Sequence, residues 1–476
     1  MRNYKVVSFF FLSTLTACNF APKYSSPDIA LPVDWRTESE GEDPLINVSW
    51  WKHWGDEVLD EYIQTALDHN KDLKGAIWRV NQYRAQYIVK RSGLFPQISS
   101  NGSAIKEKLA VDTDFLSSGI NPITPNYEMD LSLSYELDFW GKVRNEAASA
   151  NFDYLAQIED RKTVVLTLVG SVAQAYVLLR QLDLQLQISR DLVKSRKESL
   201  RIATCRFEGG LTSKIEADQS LAIYEEAIVA VETLERAVPQ QENLLCILLG
   251  EAPHSVKRGK TLPQLALPLE VPSGAPVDLL TRRPDIIKAE NTLKAANANI
   301  GVARAAFFPQ LNLSSLLGLD SLQLYNLFKK NSKIWGIGGS FLQQVFTGGA
   351  LIGQLKIAEA QKQELLFGYE QTILNSLKEV NNSLIGLEKS KEIFKTQERR
   401  VMALKDYLEL AWYRYYEGQT DYLTVVDAER EVFSAQIDMI GDQAEQFLVL
   451  VNLYKALGGG WVQEADNQAM EYGPKP

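Results

Sequence analysis

Residues 158–207 read IEDRKTVVLTLVGSVAQAYVLLRQLDLQLQISRDLVKSRKESLRIATCRF, and Ile158, Val165, Val172, Leu179, Leu186, Val193, Leu200 and Phe207 stand seven apart in it. Leu366, Ile373, Val380, Leu387, Phe394, Val401, Leu408 and Tyr415 repeat the ladder, each 208 positions after its counterpart. An apolar residue at every seventh position keeps one seam of a helix against a neighbour and imposes a left-handed supercoil. Two matching coiled-coil units are therefore expected, a scaffold rather than a catalyst.

The helices carrying these ladders are long. No proline occurs between Pro125 and Pro239, or between Pro309 and Pro474. A helix from Lys142 to Arg206 would extend roughly 100 Å at 1.5 Å per residue. The second, from about Gly349 to Tyr416, has the same reach. Both run into similar turns, Arg206-Phe207-Glu208-Gly209-Gly210-Leu211-Thr212 and Arg414-Tyr415-Tyr416-Glu417-Gly418-Gln419-Thr420, with the Arg–aromatic pair, the Gly and the Thr at the common offset. A helical stretch returns after each turn and ends near Leu249 or Leu457.

The ends and the composition narrow the setting. Arg2, Lys5 and the apolar run Val6–Leu15 form a secretory signal over residues 1–17, too short to span a membrane. Leu15-Thr16-Ala17-Cys18 resembles the bacterial lipobox, which implies a diacylglycerol and an N-acyl chain on Cys18. An ordinary signal with an incidental cysteine is the alternative. Asn19, where Asp would favour retention in the inner membrane, implies the outer membrane. Cys205 and Cys246 lie too far apart along the hairpin to bridge and are expected to be core thiols. The net charge of −10 disfavours nucleic acid. With three His, no metal-ligand spacing and no phosphate loop, the residues point to no enzyme, metal or cofactor. No later segment reads as a membrane-crossing helix.

Between the helices the period changes. Met129, Leu131, Leu133, Tyr135, Leu137 and Phe139 alternate with Asp130, Ser132, Ser134, Glu136 and Asp138. Period two over about ten residues is a strand with one apolar and one polar face, and suffices for a tilted crossing of a bilayer. A sandwich strand over a soluble core is the other reading. Further strands open at Pro96-Gln97-Ile98 and Pro309-Gln310-Leu311, and a fourth covers Ile334 to Gln344. Tyr135, Phe139, Trp140 and Trp335 serve either as interfacial aromatics or as core. Four strands cannot close a barrel and open edges are not tolerated in lipid, so several chains must contribute. Three chains give twelve strands with room for a lumen, lined by Asp130, Glu136 and Asp138, which predicts cation preference.

The fold class is thus mainly α with a small β part. Long antiparallel coiled-coil helices are expected to form a periplasmic α-barrel, with four strands per chain in a trimeric twelve-stranded transmembrane β-barrel. The order is a lipidated extended arm (18–55), a first repeat (56–250), a Pro-rich linker (251–276), a second repeat (277–460) and a polar tail (461–476). Trp50-Trp51-Lys52-His53-Trp54 is expected to pack where the arm meets the body.

Leu280-Thr281-Arg282-Arg283-Pro284-Asp285-Ile286, Ala289-Glu290, Ile300-Gly301-Val302-Ala303 and Phe308-Pro309 resemble the core motif of outer-membrane efflux ducts of the TolC/OprM type. Tyr135–Gly141 and Asn452–Trp461 resemble the OprM-like lipoprotein branch. The resemblance covers nearly the whole mature chain. It implies a homotrimer in the outer membrane of a Gram-negative bacterium, anchored in its lipid and extending into the periplasm. The implied role is a passive exit duct of a tripartite efflux pump. The implied partners are a periplasmic adaptor and an inner-membrane transporter of the proton-driven resistance–nodulation–division type. Arg283 and its neighbours are read as structural, with Pro284 entering a helix and Asp285 near its start. Leu423, Asp427 and Arg430 match the family segment that narrows the periplasmic entrance, and their spacing puts them on one helical face. Arg430 is expected to pair with Asp427 in its own or a neighbouring chain. Residues 208 positions earlier, Gln219 and Ala222, lack these charges, which makes the gate asymmetric. Tyr415 is either packing or a latch. A lipid-anchored coiled coil or adhesin without a pore, and the duct of a type I secretion system, are the alternatives; the cargo is open.

Overall fold

The computed structural model describes residues 19–36, 49–108, 123–267, 275–459, 462, 466 and 467. Cys18, the signal segment and most of the tail after Trp461 lie outside the described residues. The elements run α1 (Glu57–His69), α2 (Lys71–Ser92), β1 (Gln97–Lys108), β2 (Ile123–Glu136), α3 (Lys142–Glu208), α4 (Lys214–Leu249), α5 (Pro284–Ala305), β3 (Gln310–Ser321), β4 (Lys333–Leu342), α6 (Ala350–Tyr416) and α7 (Tyr422–Ala456). Helices α3 and α6 each contain 67 residues. They start and stop at the same offset of 208, as the heptads require.

The repeat is sharpest in backbone conformation. Gly141 and Gly349 precede the long helices, Gly210 and Gly418 end them, and Gly250 and Gly458 end the returning helices. All six have positive φ, a region that a Cβ disfavours. Helix α4 continues through Pro239.

The chain divides into two compact units. One comprises Met1–Asp28, Val80–Gln157 and Ala289–Tyr369 and holds the sheet. Its strands pair antiparallel in the order β1-β2-β3-β4. Leu131 stands opposite Ser100 and Leu317, and Leu317 opposite Trp335. Trp335 and Ile337 on that apolar face are 76% and 80% exposed. Asn101, Asp130, Ser132 and Ser340 lie on the other face. Neither β1 nor β4 has a partner strand on its outer edge among the described residues.

This unit corrects one expectation and decides another that was left open. Strand β2 ends at Glu136, so Asp138 is not a strand residue. Its carboxylate accepts the backbone N–H groups of Val143 and Arg144 and pairs with the Arg144 guanidinium at 2.9 Å, fixing the start of α3. Trp140 is an internal aromatic: it stacks on Phe308 at 4.9 Å and donates from Nε1 to the Pro309 carbonyl at 2.8 Å. The same unit takes up the N-terminal arm. Phe20 stacks on Phe308 at 4.4 Å, Asn145 donates to Asn19 Oδ1, and Asn297 donates to the Pro22 carbonyl.

The other unit comprises Ile29–Arg79, Ile158–Lys288 and Glu370–Pro476. Val165, Val172, Leu179, Ile373 and Val380 are fully buried in it, whereas Phe207 at the first ladder's end is 39% exposed. An 18-residue window of α3 has a mean hydropathy of 1.6, enough by composition to cross a membrane, against the expectation of no such segment; 61% of it is buried. The supercoil seam therefore accounts for its apolar character. Trp50 and Trp54 are buried, the first stacked on Tyr454 and the second edge-on to Phe447. Arg283 is structural as expected. Its guanidinium bonds Asp285, the Ala456 carbonyl and Glu379, and Pro284 opens α5. Cys246 is buried, but Cys205 is exposed, contrary to the expectation of a core thiol; both are free.

Candidate functional site

The two hairpin turns share one construction. At the first, Leu211 N–H donates to the Arg206 carbonyl and Gly210 N–H to that of Phe207, at 2.8 and 2.9 Å. At the second, Gln419 and Gly418 do the same to Arg414 and Tyr415. These are Schellman caps, which satisfy the last carbonyls of a helix through one left-handed residue. The returning helices differ in their caps. Asp421 accepts the Thr424 N–H at 3.1 Å, and its carboxyl is held below the usual carboxylate range by the Thr424 bonds, whereas Ser213 makes no such side-chain bond.

Beyond the second turn, Tyr422, Val425, Val426 and Ala428 pack inward with Ile223 and Ala411. That choice of face leaves Leu423, Asp427 and Arg430 together on the outward face of α7, with Leu423 47% exposed. The structure thus brings the three residues onto one surface. It does not pair Asp427 with Arg430 within the chain. Arg430 Nε lies 3.6 Å from Glu226 Oε2 on α4, and Asp427 has no ion pair among the described residues. The first repeat lacks charge at Gln219 and Ala222, but Glu226, one helical turn further, supplies the counter-charge.

Beneath this surface sit two groups that the sequence did not single out. Arg196 is buried and donates from Nη1 to the Ile223 carbonyl at 2.7 Å, with Glu226 at 3.8 Å. Burial lowers its affinity for a proton, and the nearby Glu429 and Glu226 oppose that. Glu429 is also buried. Desolvation pushes its carboxyl up, against the pull of Arg196 and a hydrogen bond from Trp412. Charged residues at buried heptad-flanking positions were the available signal, but a helix wheel cannot say which of them meet. A cavity of about 760 Å³ opens between α3, α4, α6 and α7, lined among others by Arg196, Glu226, Arg400, Asp427, Arg430 and Asp438.

Tyr415 joins the two hairpins. Its hydroxyl accepts from Arg206 Nη1 at 2.9 Å and donates to Glu216 at 3.1 Å, while the Arg206 guanidinium lies 5.2 Å from the ring centroid. Burial and Glu216 push the phenol up to about 12. It also packs against the Tyr422 core.

On the sheet, Asp130 is buried on the polar face and accepts from Asn101 at 3.3 Å. Glu136, the last residue of β2, pairs with Lys142 at 3.2 Å.

A four-stranded sheet with an apolar outer face, joined to paired 67-residue helices that end in a charged surface, defines a membrane channel of the helical-duct class. The model for the Outer membrane efflux protein family matches residues 62–251 and 275–459. The chain belongs to that family and is an outer-membrane efflux channel. It is 35% identical over 474 residues to the toluene efflux pump outer membrane protein TtgC of Pseudomonas putida, covering 97% of each chain. It is 31% identical over 474 residues to the "Probable outer membrane lipoprotein SilC" of Salmonella typhimurium, covering 97% of this chain and all of that one. The crystal structure of the Campylobacter jejuni CmeC outer membrane channel matches with a TM-score of 0.89 at 25% identity, over 96% of this chain and 99% of the other. A coiled coil or adhesin without a pore is thereby set aside.

Proposed function

We propose that three copies of this chain close a twelve-stranded barrel and form the exit duct of a tripartite efflux pump, shut at rest by the outward face of α7. The observation that carries this reading is the sheet. It has one apolar face, one polar face and, among the described residues, two unpaired edges. A single copy would expose strand edges to lipid, where each unsatisfied backbone group costs several kcal/mol. A periplasmic adaptor and a proton-driven inner-membrane transporter of the resistance–nodulation–division type complete the pump. A lipid on Cys18 fits the arm, because Asn19 and Phe20 are fastened to the unit that carries the sheet.

In the closed duct, Leu423 forms an apolar ring and Asp427 a ring of carboxylates around the threefold axis. Arg430 is held toward Glu226, and the Arg206–Tyr415–Glu216 chain ties the two hairpins. Asp130 and Glu136 line the lumen and favour cations. Single-channel conductance in planar bilayers tests the gate. Asp427→Ala with Arg430→Ala raises the closed-state current, and an unchanged current refutes the assignment. In a salt gradient the reversal potential shows cation preference; anion preference removes Asp130 and Glu136 from the lumen.

A further inference from the structure

We propose that the β3–β4 connection, residues 322–332, binds the phosphate groups of an outer-leaflet glycolipid through Lys329, Lys330 and Lys333. The inference rests on the placement of the sheet in the outer membrane. Strand β3 follows α5 and β4 leads into α6, so this connection is the strand end away from the helices. It therefore lies at the external surface.

The connection is a built structure. Asn326 N–H bonds the Gln323 carbonyl, and Asn326 Nδ2 donates to Gln323 Oε1 at 2.8 Å. Ser332 Oγ donates to the Asn326 carbonyl at 2.7 Å, and Ser332 N–H to that of Lys329. Leu327 and Ser332 are its buried keystones. This frame turns Leu322, Leu324, Tyr325 and Phe328 outward, with Tyr325 72% and Phe328 77% exposed. A cluster of large apolar side chains facing water is unfavourable and marks a surface that meets something else.

Charge identifies what it meets. The chain as a whole is at −10, yet the stretch from Ser321 to Lys333 contains three lysines and no acid. All three lysines are exposed, and no ion pair involves them among the described residues. Lys329 Nζ lies 5.0 Å from the Tyr325 ring centroid, so the cation stands against an apolar group. Lys333 is opposite Leu319 on the apolar face, two residues before Trp335. The nearest acid in sequence, Asp320, is opposite Glu128 on the polar face, away from lipid. Aromatic side chains at the headgroup level with ammonium groups reaching past them are the arrangement that anchors protein to an anionic membrane surface. Continuity with the Trp335–Ile337 band favours a lipid over a soluble anion. The external leaflet of this membrane carries phosphorylated glycolipid.

The test uses the full purified trimer in neutral-detergent micelles, with retained lipid read by native mass spectrometry. Wild type retains bis-phosphorylated lipid A at least fivefold over its dephosphorylated form and over phosphatidylglycerol, and inorganic phosphate does not displace it. Lys329→Gln with Lys330→Gln and Lys333→Gln abolishes the preference, and Tyr325→Ser with Phe328→Ser weakens retention of every lipid. Equal retention of dephosphorylated lipid A or of phosphatidylglycerol, displacement by inorganic phosphate, or an unaffected lysine variant overturns the proposal. Bilayer conductance of the same samples separates the two readings. A trimer that conducts without the lipid preference sinks only this inference, whereas the absence of any channel opening from wild type and from the Asp427→Ala, Arg430→Ala variant alike sinks the duct.

Discussion

The proposed gate surface depends on residues that never reach it. Glu429 stands between Asp427 and Arg430 in sequence but points into the core beside Arg196, with Trp412, Tyr422, Glu226 and Arg430 around the pair. Its carboxyl is raised above 4.5, first of all by desolvation. A carboxyl that ionises later in the folded chain than in the unfolded one lets the unfolded state gain as pH climbs. The stability tied to Glu429 is therefore fully present below about 4.5 and falls as pH rises through the raised folded value. Glu429→Gln removes the titration while keeping the shape, so the slope of Tm against pH flattens above 4.5. Thermal melts of the trimer across the acid-to-neutral range measure this, and an unchanged slope shows that Glu429 does not titrate late. Arg196→Met is the complementary change. It removes the positive charge that offsets part of the desolvation of Glu429, and so lowers stability at neutral pH and less in acid, where Glu429 is already protonated.

At the scale of elements, the heptads and the paired glycines made the long helices legible almost to the residue: Lys142 begins α3 as the sequence predicts, and Tyr416 ends α6. The turn glycines were legible because only φ is demanded there, and a substitution shows it. Gly210→Ala or Gly418→Ala, both at φ 71 with nothing crowding a Cβ, costs about 1–2 kcal/mol through the left-handed backbone alone, read as lowered Tm with the fold intact. An equal Tm would mean the turn relaxes out of its Schellman form. The end of β2 was not legible. Asp138 continues the alternation in sequence, but its carboxylate is taken by the first N–H groups of α3, and alternation carries no information about that competition. Glu226 escaped for a similar reason. The offset of 208 compares equivalent positions, whereas Arg430 reaches across to α4 at a non-equivalent one.

For the whole molecule, the two faces of the sheet assign different fates to neighbouring residues of one strand. Ile337 lies on the apolar face opposite Ser315, and Ser340, three residues on, lies on the polar face opposite Asn312. If three copies close a barrel in lipid, a lysine at each position separates insertion from conduction. Ile337→Lys places an ammonium in hydrocarbon near the middle of β4, at a cost of about 2–4 kcal/mol per chain at the bilayer midplane. Three copies multiply that cost, so the heat-resistant trimer is lost from outer-membrane extracts. Ser340→Lys places the same group in the aqueous lumen, where hydration persists. The trimer then survives, and the reversal potential shifts toward anions because three ammonium groups oppose the field of Asp130 and Glu136. A soluble sandwich predicts the reverse pattern. There the exposed Ile337 would tolerate lysine and no reversal potential would exist to shift. Electrophoresis without boiling and a salt-gradient bilayer measurement on the two variants decide between these outcomes.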